Sequence, residues 1–339
     1  MRVAALCAAL ACASSPWRSP LYRENPLVGR IWNGTSFVGD EALDAAVRSA
    51  DFVLLGETHD NPDHHALEAR LVRIAAQGKR PAVVFEMLDV SQQAKVDAAP
   101  RTPEGIAEAV DWSHGGWPDF SLYRPVFEAA LAAGLPIVAG NFTKAQMNAI
   151  VREGAAKVPP DVAALLERQP EPAAEVAEAE RAEMRAQHCG QLPETLLAPM
   201  VLAQHARDAQ LAIRTAASAE GAILVAGSGH ARTDRGVPVH LGRLAPGRRI
   251  LSVAFIEVSP GMQSPEGLAA EFGASRMPFD FAVFTPAAQR EDPCKAFEKR
   301  MKKRRQTAAR ELASAGQAPV ADAARETDNR WPWRIRSRP

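Results

Sequence analysis

Six short apolar runs punctuate the chain, at residues 51–57 (DFVLLGE), 81–87 (PAVVFEM), 135–141 (LPIVAGN), 222–230 (AILVAGSGH), 249–257 (RILSVAFIE) and 281–285 (FAVFT). They are rich in Val, Ile, Leu and Phe and do not alternate with polar residues, which is the pattern of strands covered on both faces in a parallel sheet. Longer stretches of helical periodicity separate them. Between the first two runs, Asn61 is placed to cap a helix with Pro62 at its first position. Leu67, Leu71, Ile74 and Ala75 then make one apolar face, and Gly78 ends it. The strand–helix–strand alternation predicts a three-layer α/β domain with a mostly parallel sheet. The rhythm breaks over about 143–217, where Ala, Glu, Arg and Leu dominate without a strand-like run, and a helical insertion is expected there.

The domain is expected to occupy residues 35–297. Ahead of it, residues 1–12 hold one basic residue (Arg2) and a short apolar run, the layout of a secretory signal and too short to span a bilayer. Ala-Leu-Ala before Cys12 resembles a bacterial lipoprotein processing box, which would make Cys12 the lipidated first residue. Plain cleavage near Ala11 or Ala13 is the alternative. The implied place is the periplasm or a lipid anchor on a bacterial membrane, the outer one foremost. Residues 13–34, with Ser, Pro and Asn, read as a tether, and 298–339 as a basic, solvated or disordered tail. Export leaves Cys189 and Cys294 either as a disulfide or as two free thiols.

The 40 basic and 40 acidic residues cancel, and only 6% of residues are aromatic. Neither a basic field nor stacking platforms are on offer, so nucleic acid is excluded as the expected partner.

The chemistry sits at the ends of the apolar runs. The first closes in Glu57 with His59 two residues on; the second ends around Glu86, the third in Asn141, and the fourth leads through GSG to His230. In an open parallel sheet that edge is where ligands bind. Glu57, His59, Glu86, Asn141 and His230 are therefore expected to converge as a catalytic or binding cleft. Two carboxylates and two imidazoles suit proton transfer, or a divalent metal held by Glu57, His59 and His230. Such crowding of like charges is expected to cost stability. His64 falls on the Leu67/Leu71 face and His65 is expected at the rim or surface. Gln204 and Asp208 share one helical face with Arg207 beside them, as a polar face toward a crevice or as an exposed ion pair. His188 beside Cys189 forms a weak metal signal. GSGH lacks the spacing of a nucleophile elbow, which disfavours acyl-enzyme chemistry.

Taken in order, LLGETHDNPDHH, VVFEML, VAGN, HCGQLP, AQHARDAQLA, GSGHARTDRGVP and FTPAAQREDPC resemble the ChaN-like haem-binding lipoproteins, the haem-binding uptake Tiki family. The resemblance implies an α/β core with a helical subdomain, and haem binding linked to bacterial iron uptake. It also implies a distant relation to erythromycin esterases and Tiki proteases, where residues like Glu57, His59 and His230 serve hydrolysis. Hydrolysis at the Glu/His cleft is thus the alternative function. Family haem ligation through tyrosine points to Tyr123, with Tyr22 the other tyrosine. Imidazole on the iron would come from His64 or His188, and haem held at a dimer face is a further expectation.

Overall fold

A computed structural model describes residues 17–168 and 174–292, together with 294, 295, 298, 299, 302, 306 and 307. The export signal with Cys12, and most of the basic tail, lie outside the described residues. Eight strands form one sheet: β1 (Ile31–Trp32), β2 (Phe37–Val38), β3 (Phe52–Glu57), β4 (Ala82–Asp89), β5 (Ile137–Asn141), β6 (Ala222–Gly227), β7 (Ile250–Glu257) and β8 (Phe281–Thr285). Their order is β2-β1-β8-β7-β3-β6-β4-β5. Strands β3 to β8 are parallel, and β1 and β2 add an antiparallel edge.

The continuous apolar runs split between two faces because successive side chains point to opposite sides of a strand. Val53, Leu55, Val83, Phe85, Ile223, Val225, Val253 and Phe255 meet Leu71, Val72 and Ala75 of the helix Pro62–Ala75 and Val126, Phe127 and Ala130 of Phe120–Ala132. Phe52, Leu54, Val84, Ala222 and Leu224 meet Leu211 and Ala212 of Glu194–Ala216 and Val237 and Leu241 of Val237–Leu244. Each large side chain so buried is worth ~1.5–3 kcal/mol before entropy is counted. The result is the α/β/α sandwich.

Between β5 and β6 the described residues hold helices and no strand, including Lys144–Glu153, Pro160–Glu167, Ala174–Gln187 and Glu194–Ala216. The last of these is not wholly an insertion. Its C-terminal half covers the sheet, and Arg214 Nε donates to the Ala139 carbonyl of β5 at 3.0 Å. Cys189 and Cys294 are joined as a disulfide. Among the described residues, no helix is long and apolar enough to cross a membrane.

The tether reading of 13–34 is corrected from Trp17 onward. Ser19 and Leu27 are buried, and Leu21 bridges Ala287. The amides of Arg18 and Ser19 both donate to the Asp63 carboxylate at 2.8 Å, and Ser19 Oγ donates to Asn61 Oδ1. Asn61 in turn caps the Pro62–Ala75 helix, accepting from the amides of Asp63 and His64. Its Nδ2 donates to Glu257 Oε1 at 2.7 Å. Arg290 closes the arrangement on Glu257 and Asp60. Half of the crowded 54–65 stretch therefore clamps the two ends of the domain together.

Candidate functional site

Because β3, β6 and β4 are neighbours, the other half of that stretch meets the ends of the next strands. Glu57, His59, Glu86, His230 and Asp208 form an alternating line of carboxylate and imidazole. His59 Nδ1 lies 2.8 Å from Glu57 Oε1, and its Nε2 lies 3.7 Å from Glu86 Oε2. His230 Nε2 is 3.3 Å from Glu86 Oε1, while its Nδ1 is 2.5 Å from Asp208 Oδ1. The Gly227 amide donates to Glu86 Oε2 at 2.8 Å. Gln204 Nε2 sits 3.3 Å and 3.4 Å from the two nitrogens of the His230 ring. Gln204, Arg207 and Asp208 thus all look into the crevice, and the exposed-ion-pair reading falls away. Asn141 stands at the same edge, yet its amide is spent on backbone: Nδ2 donates to the Glu86 carbonyl and Oδ1 accepts from the Phe142 amide.

Gly56 explains how His230 comes so close. A Cβ there would stand 2.9 Å from Ala231 Cβ and 3.0 Å from Ser228 Cα. The bare glycine lets the single helical turn Ser228–Ala231 sit directly on β3. Gly56→Ala is expected to push that turn away and destabilise the fold by ~1–3 kcal/mol, the range for overpacking. Urea unfolding measures the loss, and an unchanged midpoint would show that the turn moves freely.

Two groups missed from the sequence deepen the network. His65, expected at the rim, is fully buried, with Nδ1 3.0 Å from both Glu57 Oε2 and Glu68 Oε2. Its Nε2 donates to the His59 carbonyl at 3.1 Å. The stretch's like charges are thus interleaved with imidazoles, so the expected repulsion is relieved. Burial alone would lower the pKa of His65, but Glu57 and Glu68 outweigh it and hold it up to about 10. Burial alone would raise Glu57, yet His65 and His59 keep its carboxyl far below the ordinary range. For Glu68 burial wins, aided by Glu57, and lifts it to about 8. His230, despite its burial, is raised to about 9 by Glu86 and Asp208, and His59 is raised by Glu57 and Glu86.

Above this line opens a cavity of about 690 Å³, a volume suited to a small molecule or cofactor. His59, Glu86, Asn141, Gln204, Arg207 and Asp208 reach it; Glu57 does not. Glu57, expected as a general base, is closed off and strongly ionised. His230 above it, with its pKa near 9, is held protonated at neutral pH and is not poised to take a proton from water. The divalent-metal set is corrected too. His59 and His230 flank Glu86 from two sides, and the ligand atoms that cluster within 4.8 Å belong to Glu57, His65 and Glu68 instead.

The haem-ligand expectations also change. Tyr123 is fully buried, its hydroxyl donating to Glu57 Oε1 at 3.0 Å, and it does not reach the cavity. Tyr22 is exposed and likewise outside it. His64 is packed behind β3, its Nδ1 accepting from the Thr58 amide and its Nε2 against Thr285 Oγ1. His188 does line the cavity. Its Nδ1 donates to the Met184 carbonyl at 2.7 Å, which puts the ring's lone pair on Nε2.

Fold and site together define an α/β protein with a ligand cavity over a buried acid–imidazole chain at the C-terminal edge of its sheet. The chain belongs to the family described as haem-binding uptake, Tiki superfamily, ChaN, which it matches over residues 43–241. Among solved structures it superposes on ChaN of Campylobacter jejuni with cofacially bound haem, at TM-score 0.59 and 20% identity, covering 75% of this chain and 95% of that one. At that identity the likeness establishes the fold. The type III effector HopBA1 (TM-score 0.42, 13% identity, 73% and 92% covered) and the erythromycin esterase EreC in its open conformation (TM-score 0.38, 17%, 76% and 81%) superpose more loosely. No curated protein matches the chain.

Proposed function

We propose that this protein binds haem in the cavity, as an exported, lipid-anchored component of bacterial iron or haem uptake. Membership of the haem-binding uptake family supports the ligand class, and the cavity is the observation that carries the reading. Met87, Trp117, Phe142, Met147 and Met200 give it an apolar wall for a macrocycle. A buried imidazole whose other nitrogen is tied to a backbone carbonyl is the arrangement that iron-ligating histidines favour, and His188 has it. Burial lowers the pKa of His188, partly offset by the bond to Met184, and keeps the ring neutral. His188 would hold the iron; the haem would supply the metal chemistry. Anchoring through Cys12 and haem shared at a dimer face complete the proposal, and the Cys189–Cys294 disulfide is in keeping with an oxidising compartment.

Haemin titrated into the purified, soluble protein tests it. Binding with a shifted Soret band is expected. His188→Ala should move the band again and weaken binding roughly tenfold or more, the scale of losing one metal-site group. Tyr123→Phe should leave the spectrum unchanged. No spectral change with the unmodified protein would overturn the reading.

A further inference from the structure

The cavity floor carries a cation that the network below leaves unsatisfied. Arg207 Nε is buried and has no hydrogen-bond partner. Its Nη1 lies 3.8 Å from Glu86 Oε1, outside hydrogen-bond range. The acids that line the same cavity are already engaged. Asp208 holds His230, Glu180 holds His205, Glu183 holds Arg235, and Asp111 holds His114. Asp89 accepts from the Ser91 amide, and Glu86 from Gly227. Buried guanidinium N–H groups without acceptors are costly and call for a ligand or ordered solvent.

We propose that Arg207, beside His59 Nε2 on the floor, is an anion seat that takes the carboxylate of an amphipathic acid whose apolar body lies along the methionine and aromatic wall. The charges support this. Glu57 is taken up by His59 and His65 at 2.8 and 3.0 Å, Glu86 by His230 at 3.3 Å and Asp208 by His230 at 2.5 Å, whereas the guanidinium of Arg207 comes no nearer to an acid than 3.8 Å. The floor therefore offers a guanidinium with no acid in hydrogen-bond range among the described residues. Gly229 keeps the space open, since a Cβ there would meet nothing within 4 Å. Guanidinium suits a planar carboxylate, which can accept two parallel N–H bonds. The wall suits variable apolar bodies, because methionine side chains are flexible and polarisable. This inference rests on, and deepens, the haem reading: the floor recognises the acid group of the ligand, independently of its iron.

The test compares acids with their neutral counterparts. Protoporphyrin IX, its dimethyl ester, dodecanoate and dodecanol are titrated against the unmodified protein and Arg207→Gln, with haemin in parallel. An acid should bind the unmodified protein roughly tenfold to a hundredfold more tightly than its neutral counterpart, the value of a charge-assisted pair. Arg207→Gln should abolish that preference while leaving the haemin Soret position, set by the iron ligand, in place. Equal binding of acid and neutral forms by the unmodified protein, or a preference that survives in Arg207→Gln, would overturn the anion seat. An Arg207-dependent preference for dodecanoate with no porphyrin or haemin binding would uphold the seat and sink the haem reading. Binding of neither class would overturn the seat.

Discussion

Glu57→Gln should lower the unfolding free energy by about 3 kcal/mol at pH 7, the low end for breaking a buried ion pair. The carboxylate is fully buried and faces His59 Nδ1, Tyr123 Oη and His65 Nδ1 at 2.8, 3.0 and 3.0 Å. An amide of the same shape removes the charge that faces the buried His65 imidazolium and the His59 ring. It also turns an N–H toward groups that are themselves donors. Glu68→Gln makes the contrast. Glu68 touches the same His65, but its pKa near 8 leaves it largely protonated at pH 7, so removing its charge changes little. The expected cost there is under about 1 kcal/mol, the range of a neutral hydrogen bond. Urea unfolding of both variants measures the difference. Equal losses, or a Glu57→Gln protein more stable than the original, would mean that the chain of ion pairs does not hold the sheet edge together.

The six long strands were legible because burial on two faces leaves an unbroken apolar run, and the Asn61–Pro62 cap because its chemistry is local. Strands β1 and β2 were not: two residues each are too short to show a period. Residues 17–34 misled for a related reason, since a packed loop and a tether share Ser, Pro and Asn, and only the distant Asp63 distinguishes them. Convergence of Glu57, His59, Glu86 and His230 on one edge followed from strand ends, a topological argument. The buried partners of that line did carry a signal that could have been used. Glu68 lies four residues after His64 and three before Leu71, on the apolar stripe of its own helix, where an acid must find a partner inside. Tyr123 likewise shares a stripe with Val126 and Phe127, which places it in the core before any ligand role is considered.

His64 should subtract stability from the protein as the pH falls from 6.5 toward about 4. The Thr58 amide can only donate, so His64 Nδ1 accepts from it and the ring proton sits on Nε2, toward Thr285 Oγ1. A second proton would set N–H against N–H inside the core. Burial accordingly lowers the His64 pKa to about 4 from 6.5, with Glu257 and Glu57 opposing it only in part. Above pH 6.5 the ring is neutral folded or unfolded, and nothing is lost. As the pH falls from 6.5 toward 4, the unfolded chain takes a proton that the folded one refuses, which costs about 3 kcal/mol once complete. Other shifted groups act in the same window. Burial and Glu57 raise Glu68 to about 8, so the folded chain takes that proton first and gains stability as the pH falls from 8 toward 4.5. Burial lowers His188 and His240 as it does His64. The contribution of His64 is therefore the difference between the slopes of the original protein and of a variant without the imidazole. His65 and His230, raised to about 10 and about 9, stabilise fully below 6.5 and lose their contribution only as the pH rises through those values. Glu257, lowered to about 2 as its bonds to Arg290 outweigh its burial, gives way only below 4.5. In His64→Asn the side-chain oxygen can accept from Thr58 without titrating. That variant should be weaker at pH 7, having lost the ring packed 5.6 Å from Phe255, yet from pH 6.5 down to about 4.5 its stability should fall less, or rise more, than that of the original protein. Urea midpoints taken across this range give the two slopes. Parallel slopes would acquit His64 and move the acid sensitivity to the carboxylates of the site.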